Sequence, residues 1–328
     1  MELNLRQKKI LELLSINCRF SNKDIARTIG MSEDAVDYQI NKLIDKEKIS
    51  HLSIQFDYRF LGYDHYHIWI QLKDLDFNVE DLKKIKSITS INSSYGAFDL
   101  QLIAITRNKE ELSKSLESIE KILDIRNICI AEFDSFYKQF TNVISPLNIE
   151  TKIPTNKKHK IYDLNNKFYA DAKKIEKIKL DEIDMKIIKE LLKNPRAKFS
   201  EISEETKINH ETIRYRINNY VQTKFIKSFG LLHDFRKYGL YTNYLLLKLK
   251  NVNKKNFEDY LYSNNEIFYS AKLIGEYNCI LYITSKDPNE FGKQLKDIRK
   301  TLGDSIVKMD LLYLEEFHKY VQFPEELL

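Results

Sequence analysis

Two arginines placed two positions apart, Arg214 and Arg216, lie in the stretch NHETIRYRINNY with His210, Glu211 and Asn218 around them. A guanidinium is a planar fork of donors that matches the edge of a guanine or the oxygens of a phosphate. Two residues apart on a helix, these side chains point in different directions. One is expected to reach a base edge while the other holds the backbone, with Lys207 nearby and Lys224 and Lys227 as phosphate contacts that add affinity without sequence preference. The chain offers little other chemistry. His65 and His67 alternate along one strand instead of converging on a metal. Cys18, Cys129 and Cys279 are far apart in apolar surroundings and read as buried free thiols. No glycine-rich phosphate loop, Ser/His/Asp set or paired carboxylate motif stands out, so no catalytic residue, metal or cofactor is expected.

The arginines need a helix and a scaffold. Residues 209–220 place Ile213, Ile217 and Tyr220 on one face, with Asn209 as the cap. Upstream, LDEIDMKIIKELL carries an apolar stripe of Ile183, Ile187, Ile188, Leu191 and Leu192, is capped by Asp181 and ends at Asn194 and Pro195. Phe199 and Ile202 anchor a second helix, and Ile208 closes the turn. This is helix, turn, helix, in which the last helix enters the major groove. The same unit opens the chain: Leu5 to Leu14 form a first helix, Ser21 caps a second, and Ser32 caps a third with Ala35, Val36, Ile40, Leu43 and Ile44 inward. Gln39 and Lys42 lie on its polar face, but Glu33, Asp34 and Asp37 share that face and would meet phosphate with like charge.

Each unit is followed by a short wing strand and a β-α-β-β-α-β segment. In HIWIQL, Ile68, Ile70 and Leu72 fall on one face and His67, Trp69 and Gln71 on the other. Both helices are expected on one face of the sheet, which leaves the Trp69 face in need of a cover and suited to an interface. An offset of 177 places Val36 on Ile213, Tyr38 on Tyr215, Ile40 on Ile217 and Gly62 on Gly239, and an offset of 181 places Phe136 and Lys138 on Phe317 and Lys319. The simplest account is an internal duplication. The expected organisation is helix-turn-helix at 1–60, ferredoxin-like at 61–140, a basic linker at 141–179, helix-turn-helix at 180–238 and ferredoxin-like at 239–320. A helix is expected from Ala170 to Ile178.

At 328 residues with 43% hydrophobic side chains, the chain is long enough for several cores. Its formal charge is +5, and its distribution is uneven: 20 basic against 22 acidic groups through residue 140, then 33 against 26. Attraction to phosphate is expected in the second half. No apolar stretch is long enough to span a membrane and the opening residues lack a signal-peptide core, so a cytoplasmic protein with no membrane partner is expected.

The segment from Leu180 to Tyr220, followed by FIKSFGLLHDFRKYGL, resembles the N-terminal domain of the Lrp/AsnC family of prokaryotic transcriptional regulators, and the β-α-β-β-α-β unit resembles that family's effector-binding and oligomerisation domain. The resemblance covers nearly the whole chain twice. It implies an α+β architecture of two helix-turn-helix domains alternating with two ferredoxin-like domains, and a sequence-specific regulator acting on double-stranded DNA. Arg216, just before the inward Ile217, matches the family's recognition arginine, where the first repeat has Gln39. The family's Gly-x-x-Asp effector loop is present as Gly96 and Asp99, with Gly275 and Asn278 in the second repeat, which implies an amino acid or other small molecule as effector. Because family members pair through their sheet domains, the two halves are expected to form an intramolecular pseudo-dimer, with higher homo-oligomers as the alternative. Two rival functions stand beside this one. Siroheme decarboxylases of haem biosynthesis use the same pair of domains, although the arginine pair expected after the wing aromatic is replaced here by Lys227, Ser228 and Phe229. A protein-interaction module with degenerate DNA readers is the other.

Overall fold

A computed structural model describes residues 3–46, 49, 51–138, 175–232 and 234–324. Most of the basic linker, and the larger part of the helix expected at 170–178, lie outside the described residues; Ile175 to Ile178 run as irregular chain.

The first helical unit comprises α1 (Leu5–Ile16), α2 (Asn22–Ile29) and α3 (Glu33–Asp45), and the second α6 (Glu182–Lys193), α7 (Phe199–Thr206) and α8 (His210–Gln222). The side chains of Ser21, Ser32, Asp181 and Asn209 accept hydrogen bonds from backbone amides in the first turns of their helices. Each so satisfies a donor that the helix leaves open, worth about 1 kcal/mol. Gly30 ends α2 with a φ of +70°, a left-handed turn that glycine adopts without strain.

The two units share one core. Ile10, Leu14, Ile40 and Leu43 from the first and Ile187, Leu191, Ile213 and Ile217 from the second are buried in a single apolar cluster. Burying each such side chain contributes about 1.5 to 3 kcal/mol before ordering costs. Their wings, β1 (His51–Phe56) and β6 (Ile226–Leu232), pair antiparallel as a two-stranded sheet. Reciprocal arginines complete the joint: Arg19 donates to the carbonyls of Pro195 (2.6 Å) and Ala197 (3.0 Å), and Arg196 to the carbonyl of Cys18 and to Asn22 Oδ1 (2.7 Å). Arg19 and Arg196 are 177 positions apart, so the contact is made twice about a pseudo-twofold axis.

The strands of the sheet units are β2 (Asp64–Leu72), β3 (Ile88–Gly96), β4 (Leu100–Thr106) and β5 (Ile125–Lys138), then β7 (Tyr241–Leu249), β8 (Ile267–Gly275), β9 (Cys279–Ser285) and β10 (Ile306–Tyr320). Helices α4 (Val79–Lys83) and α5 (Lys109–Glu120) accompany the first sheet, α9 (Lys254–Ser263) and α10 (Pro288–Leu302) the second. The two sheets join edge to edge through β5 with β8 and β10 with β3, which closes the order β10-β3-β4-β2-β5-β8-β9-β7 into a barrel. Period-two alternation decides the layers. Ile68, Ile70 and Leu72 pack with Leu82 and Ile119 on the helix side, while Trp69 lies in the interior with Tyr244, Tyr269 and Tyr277. The cover that the Trp69 face needs is the other half of the same chain. The expected pseudo-dimer is therefore formed within the molecule.

The last strand of each half reaches into the other. Lys138 at the end of β5 donates to the carbonyls of Leu261 (2.7 Å) and Asn264 (2.8 Å) at the C-terminus of α9, and Lys319 on β10 to those of Lys83 (2.8 Å) and Ile85 (3.1 Å) at the C-terminus of α4. A cationic donor suits carbonyls left open at a helix C-terminus. Lys138 has no exposed surface, and burial pushes its amine down to about 7.

Candidate nucleic-acid interface

The exposed face of α8 is formed by His210, Glu211, Arg214 and Tyr215. Arg214 pairs with Glu211, and His210 Nδ1 is 3.5 Å from the same carboxylate. Both pairs are on the surface, where such contacts hold a side chain weakly, so Arg214 keeps the freedom to turn toward another acceptor. Lys207 is exposed at the C-cap of α7, with a φ of +59°, beside the start of α8. Lys224 has a φ of +69° just past the end of α8 and is half-buried. Asn218 is half-buried, and its Oδ1 is enclosed without a partner among the described residues.

Two of the expected readers are used inside the fold. Arg216 turns back onto α6, with its NH1 2.9 Å from Asp184 Oδ1 and its NH2 2.8 Å from Asp181 Oδ2. Asp184 is buried at 4% exposure and also accepts from the Tyr220 hydroxyl. The guanidinium thus neutralises a carboxylate that the core would otherwise hold unpaired. Lys227, expected on phosphate, also turns inward. It is 2% exposed and its Nζ is 3.0 Å from Asp57 Oδ2, so it cannot meet a phosphate from that position. Burial lowers its amine, while burial of Asp57 is outweighed by the Arg59 hydrogen bond and the Lys227 charge, which hold that carboxyl below its ordinary range. Gln39 accepts from Gln7 Nε2 at 3.1 Å, and the Lys42 ammonium lies 5.6 Å from the ring centre of Tyr38.

Tyr38 and Tyr215 were missing from the expected contacts. They are 62% and 69% exposed and occupy matched positions on α3 and α8. Their place midway between Val36 and Ile40, and between Ile213 and Ile217, puts them opposite the buried stripe; that spacing is the signal.

The four residues expected to hold an effector lie at the barrel seams and strand ends. Gly96 has a φ of +123° and stands opposite Leu312 of β10; a Cβ there would come within 2.2 Å of the Leu311 carbonyl oxygen. Gly275 faces Ala131 across the other seam, where a Cβ would meet it at 2.9 Å. Asp99 Oδ2 accepts from the Leu72 amide at 2.8 Å, and Asn278 Oδ1 from the Leu249 amide at 2.7 Å. The spacing shared by the two loops fits the close approach of strands and the tying of strand ends. Among the described residues no group of three or more His, Cys, Asp or Glu could hold a metal, and no helix is long and apolar enough to cross a membrane.

A duplicated helix-turn-helix joined to a duplicated ferredoxin-like sheet defines a class of two-domain regulators, here with both copies in one chain. The AsnC-type helix-turn-helix domain matches residues 8–44 and 180–220. The HTH-type transcriptional regulator FL11 of Pyrococcus horikoshii is 30% identical over 120 residues, which span 36% of this chain and 80% of that protein. The HTH-type transcriptional regulator Ptr1 of Methanocaldococcus jannaschii is 29% identical over 123 residues, 37% of this chain and 82% of its own. The chain belongs to the Lrp/AsnC family. Among solved structures, that of the siroheme decarboxylase NirDL aligns over 97% of this chain and 94% of its own with a TM-score of 0.56 and 14% identity, a likeness of fold.

Proposed function

We propose that this protein is a sequence-specific, DNA-binding transcriptional regulator without catalytic activity. The observation that carries the reading is the pair of AsnC-type helix-turn-helix units, locked about a pseudo-twofold axis with the polar face of α8 exposed. A two-headed reader of this kind suits a site with two half-sites. On α8, Arg214 is the base-reading residue, Tyr215 packs against the groove, and His210, Lys207 and Lys224 lie near the phosphates. The α3 face bears Glu33, Asp34 and Asp37 and contributes less. A small-molecule effector and higher homo-oligomers belong to the same reading.

The test is an anisotropy titration against upstream fragments of the organism's own DNA at two salt concentrations. Arg214→Ala is expected to weaken specific binding by about tenfold or more, the worth of one good base contact, with an unchanged unfolding midpoint. Equal affinity and specificity in Arg214→Ala and Tyr215→Ala would sink the reader. No DNA binding at low salt together with a stable protein partner would favour the interaction module. No DNA binding together with tetrapyrrole binding would favour a decarboxylase.

A further inference from the structure

Between the paired wing strands and the barrel lies a cavity of about 170 Å3. An apolar cavity of about 150 Å3 takes a benzene ring, so one six-membered ring with short substituents is the size that fits. Phe133, Phe136, Phe268 and Tyr269 supply aromatic walls. The chain after β10 closes one side: the Val321 amide donates to the Thr89 carbonyl on β3 at 2.8 Å, and Gln322 Oε1 accepts from the Ile54 amide on β1 at 2.8 Å.

The polar part of the lining is unusual. His65 Nε2 and Asn92 Oδ1 are enclosed and lack a hydrogen-bond partner among the described residues, and both residues line the cavity. One such orphan costs about 1 to 3 kcal/mol, and two in one small lining mark a place where another molecule completes the bonds. Charge narrows the class. Asp57 and Arg59 line the same cavity, Lys227 stands on Asp57, and Asp134 continues the cluster with Lys272 at 3.2 Å. Lys272 is half exposed and is matched by Asp134 outside the lining, so the buried set is two cations, Arg59 and Lys227, on the one carboxylate of Asp57. The excess is positive, in a place where water is scarce and charge counts for more. Burial pushes His65 down to about 4, so its ring is neutral near pH 7 and adds no charge.

We infer that this cavity binds a single-ring aromatic carboxylate carrying a ring hydroxyl, with the carboxylate toward Arg59 and His65 and the hydroxyl donating to Asn92. The site is distinct from the Gly96 and Gly275 loops, whose backbone is taken up by the barrel seams. It is tested without DNA, so a failure of the regulatory reading leaves it standing, and the reverse.

The probes are 3- and 4-hydroxybenzoate, titrated into the full chain by calorimetry. Trp69, the one tryptophan of the chain, gives an independent signal because it stacks on His67 at 5.7 Å, which stacks on His65 at 5.1 Å. Saturable binding of at least one isomer is expected, with about a tenfold loss or more in Asn92→Leu, the scale of one buried hydrogen bond. Ser90→Phe, which fills the cavity, is expected to abolish it; if that variant does not fold, His65→Phe keeps the stack and removes the polar atom. Absence of saturable binding for both isomers, or unchanged binding in a folded Ser90→Phe or His65→Phe variant, overturns the site. Equal affinity for the uncharged 4-hydroxybenzyl alcohol overturns the carboxylate.

Discussion

Where the third helix of each unit meets the first, the two repeats make one contact with opposite chemistry. In the first repeat Asn4 and Gln7 form the capping box of α1, and Gln7 bonds Gln39 of α3. In the second, at an offset of 177, Asp181 and Asp184 form the capping box of α6, and Asp184 holds Arg216 of α8. A neutral clamp and a charged clamp occupy the same place. The Arg216 guanidinium is the partner of a buried carboxylate, and the arginine stands in the repeat whose cap is acidic. A similar pair of sites differs below the wings. Arg59 Nε and Arg236 Nε each lie 2.9 Å from the carboxylate two residues earlier, Asp57 or Asp234, and the Nη1 of each arginine donates to a strand carbonyl of its own half, that of Asp134 or Glu315. Of the two, Asp57 also holds a buried lysine, Lys227, and the cavity described above is lined by Asp57 and Arg59 from this site and by Phe235 from the other.

The largest effect expected from breaking this comparison is at Asp57. Asp57→Ala leaves Arg59 and Lys227 buried and unpaired and should cost about 3 to 5 kcal/mol. Asp234→Ala, at the more exposed counterpart where the arginine is about half in solvent, should cost about 1 kcal/mol. Urea unfolding of the two variants measures the gap, and equal losses would mean that Lys227 adds nothing to the Asp57 site. Next is the clamp. Arg216→Ala strands Asp184 and should cost about 2 to 3 kcal/mol, against about 1 kcal/mol for Gln39→Ala, which removes a neutral bond. If both lose the same amount, the charge on the second clamp is irrelevant to its strength.

The smallest effect concerns pH. Lys138 has a folded pKa of about 7, below its unfolded value, so between about pH 7 and 10 the unfolded chain binds more protons. Stability from this group therefore rises with pH across that window and is lost as pH falls toward 7. Two carbonyl acceptors at the α9 terminus oppose the burial, which makes the slope shallow. Lys138→Met should flatten the rise in a series of unfolding midpoints, and an unchanged slope would show that the lysine stays protonated throughout.

Much of the fold is legible in the sequence. The caps at Ser21, Ser32, Asp181 and Asn209, the apolar stripes of the six helices and the alternation around Trp69 are local patterns, and local patterns survive packing. The offset of 177 carried the duplication, and with it the expectation that one half covers the other. What failed to be legible was partnership. Arg216 and Lys227 advertise a positive charge, but nothing within a few residues of either says that Asp184 or Asp57 is waiting in the core. Gly96 and Asp99 show a spacing suited to a loop, yet the need for glycine comes from the backbone of β10, more than 200 positions away. The cavity draws on β1, β3, β5, β8 and the chain after β10 at once, and no single stretch of sequence contains it.

The crossed lysines, Lys138 at one helix end and Lys319 at the other, have a consequence for how this molecule can change. In an assembly of two identical chains, any substitution appears on both sides of the symmetry axis, so a residue that helps one side must be tolerated on the other. Joining the copies in one chain removes that constraint while the lysines keep the halves in register. A mutation now lands once. One clamp can carry charge while its twin stays neutral, and the two walls of a shared chamber can differ, with His65 on one and Thr242 at the matched place on the other.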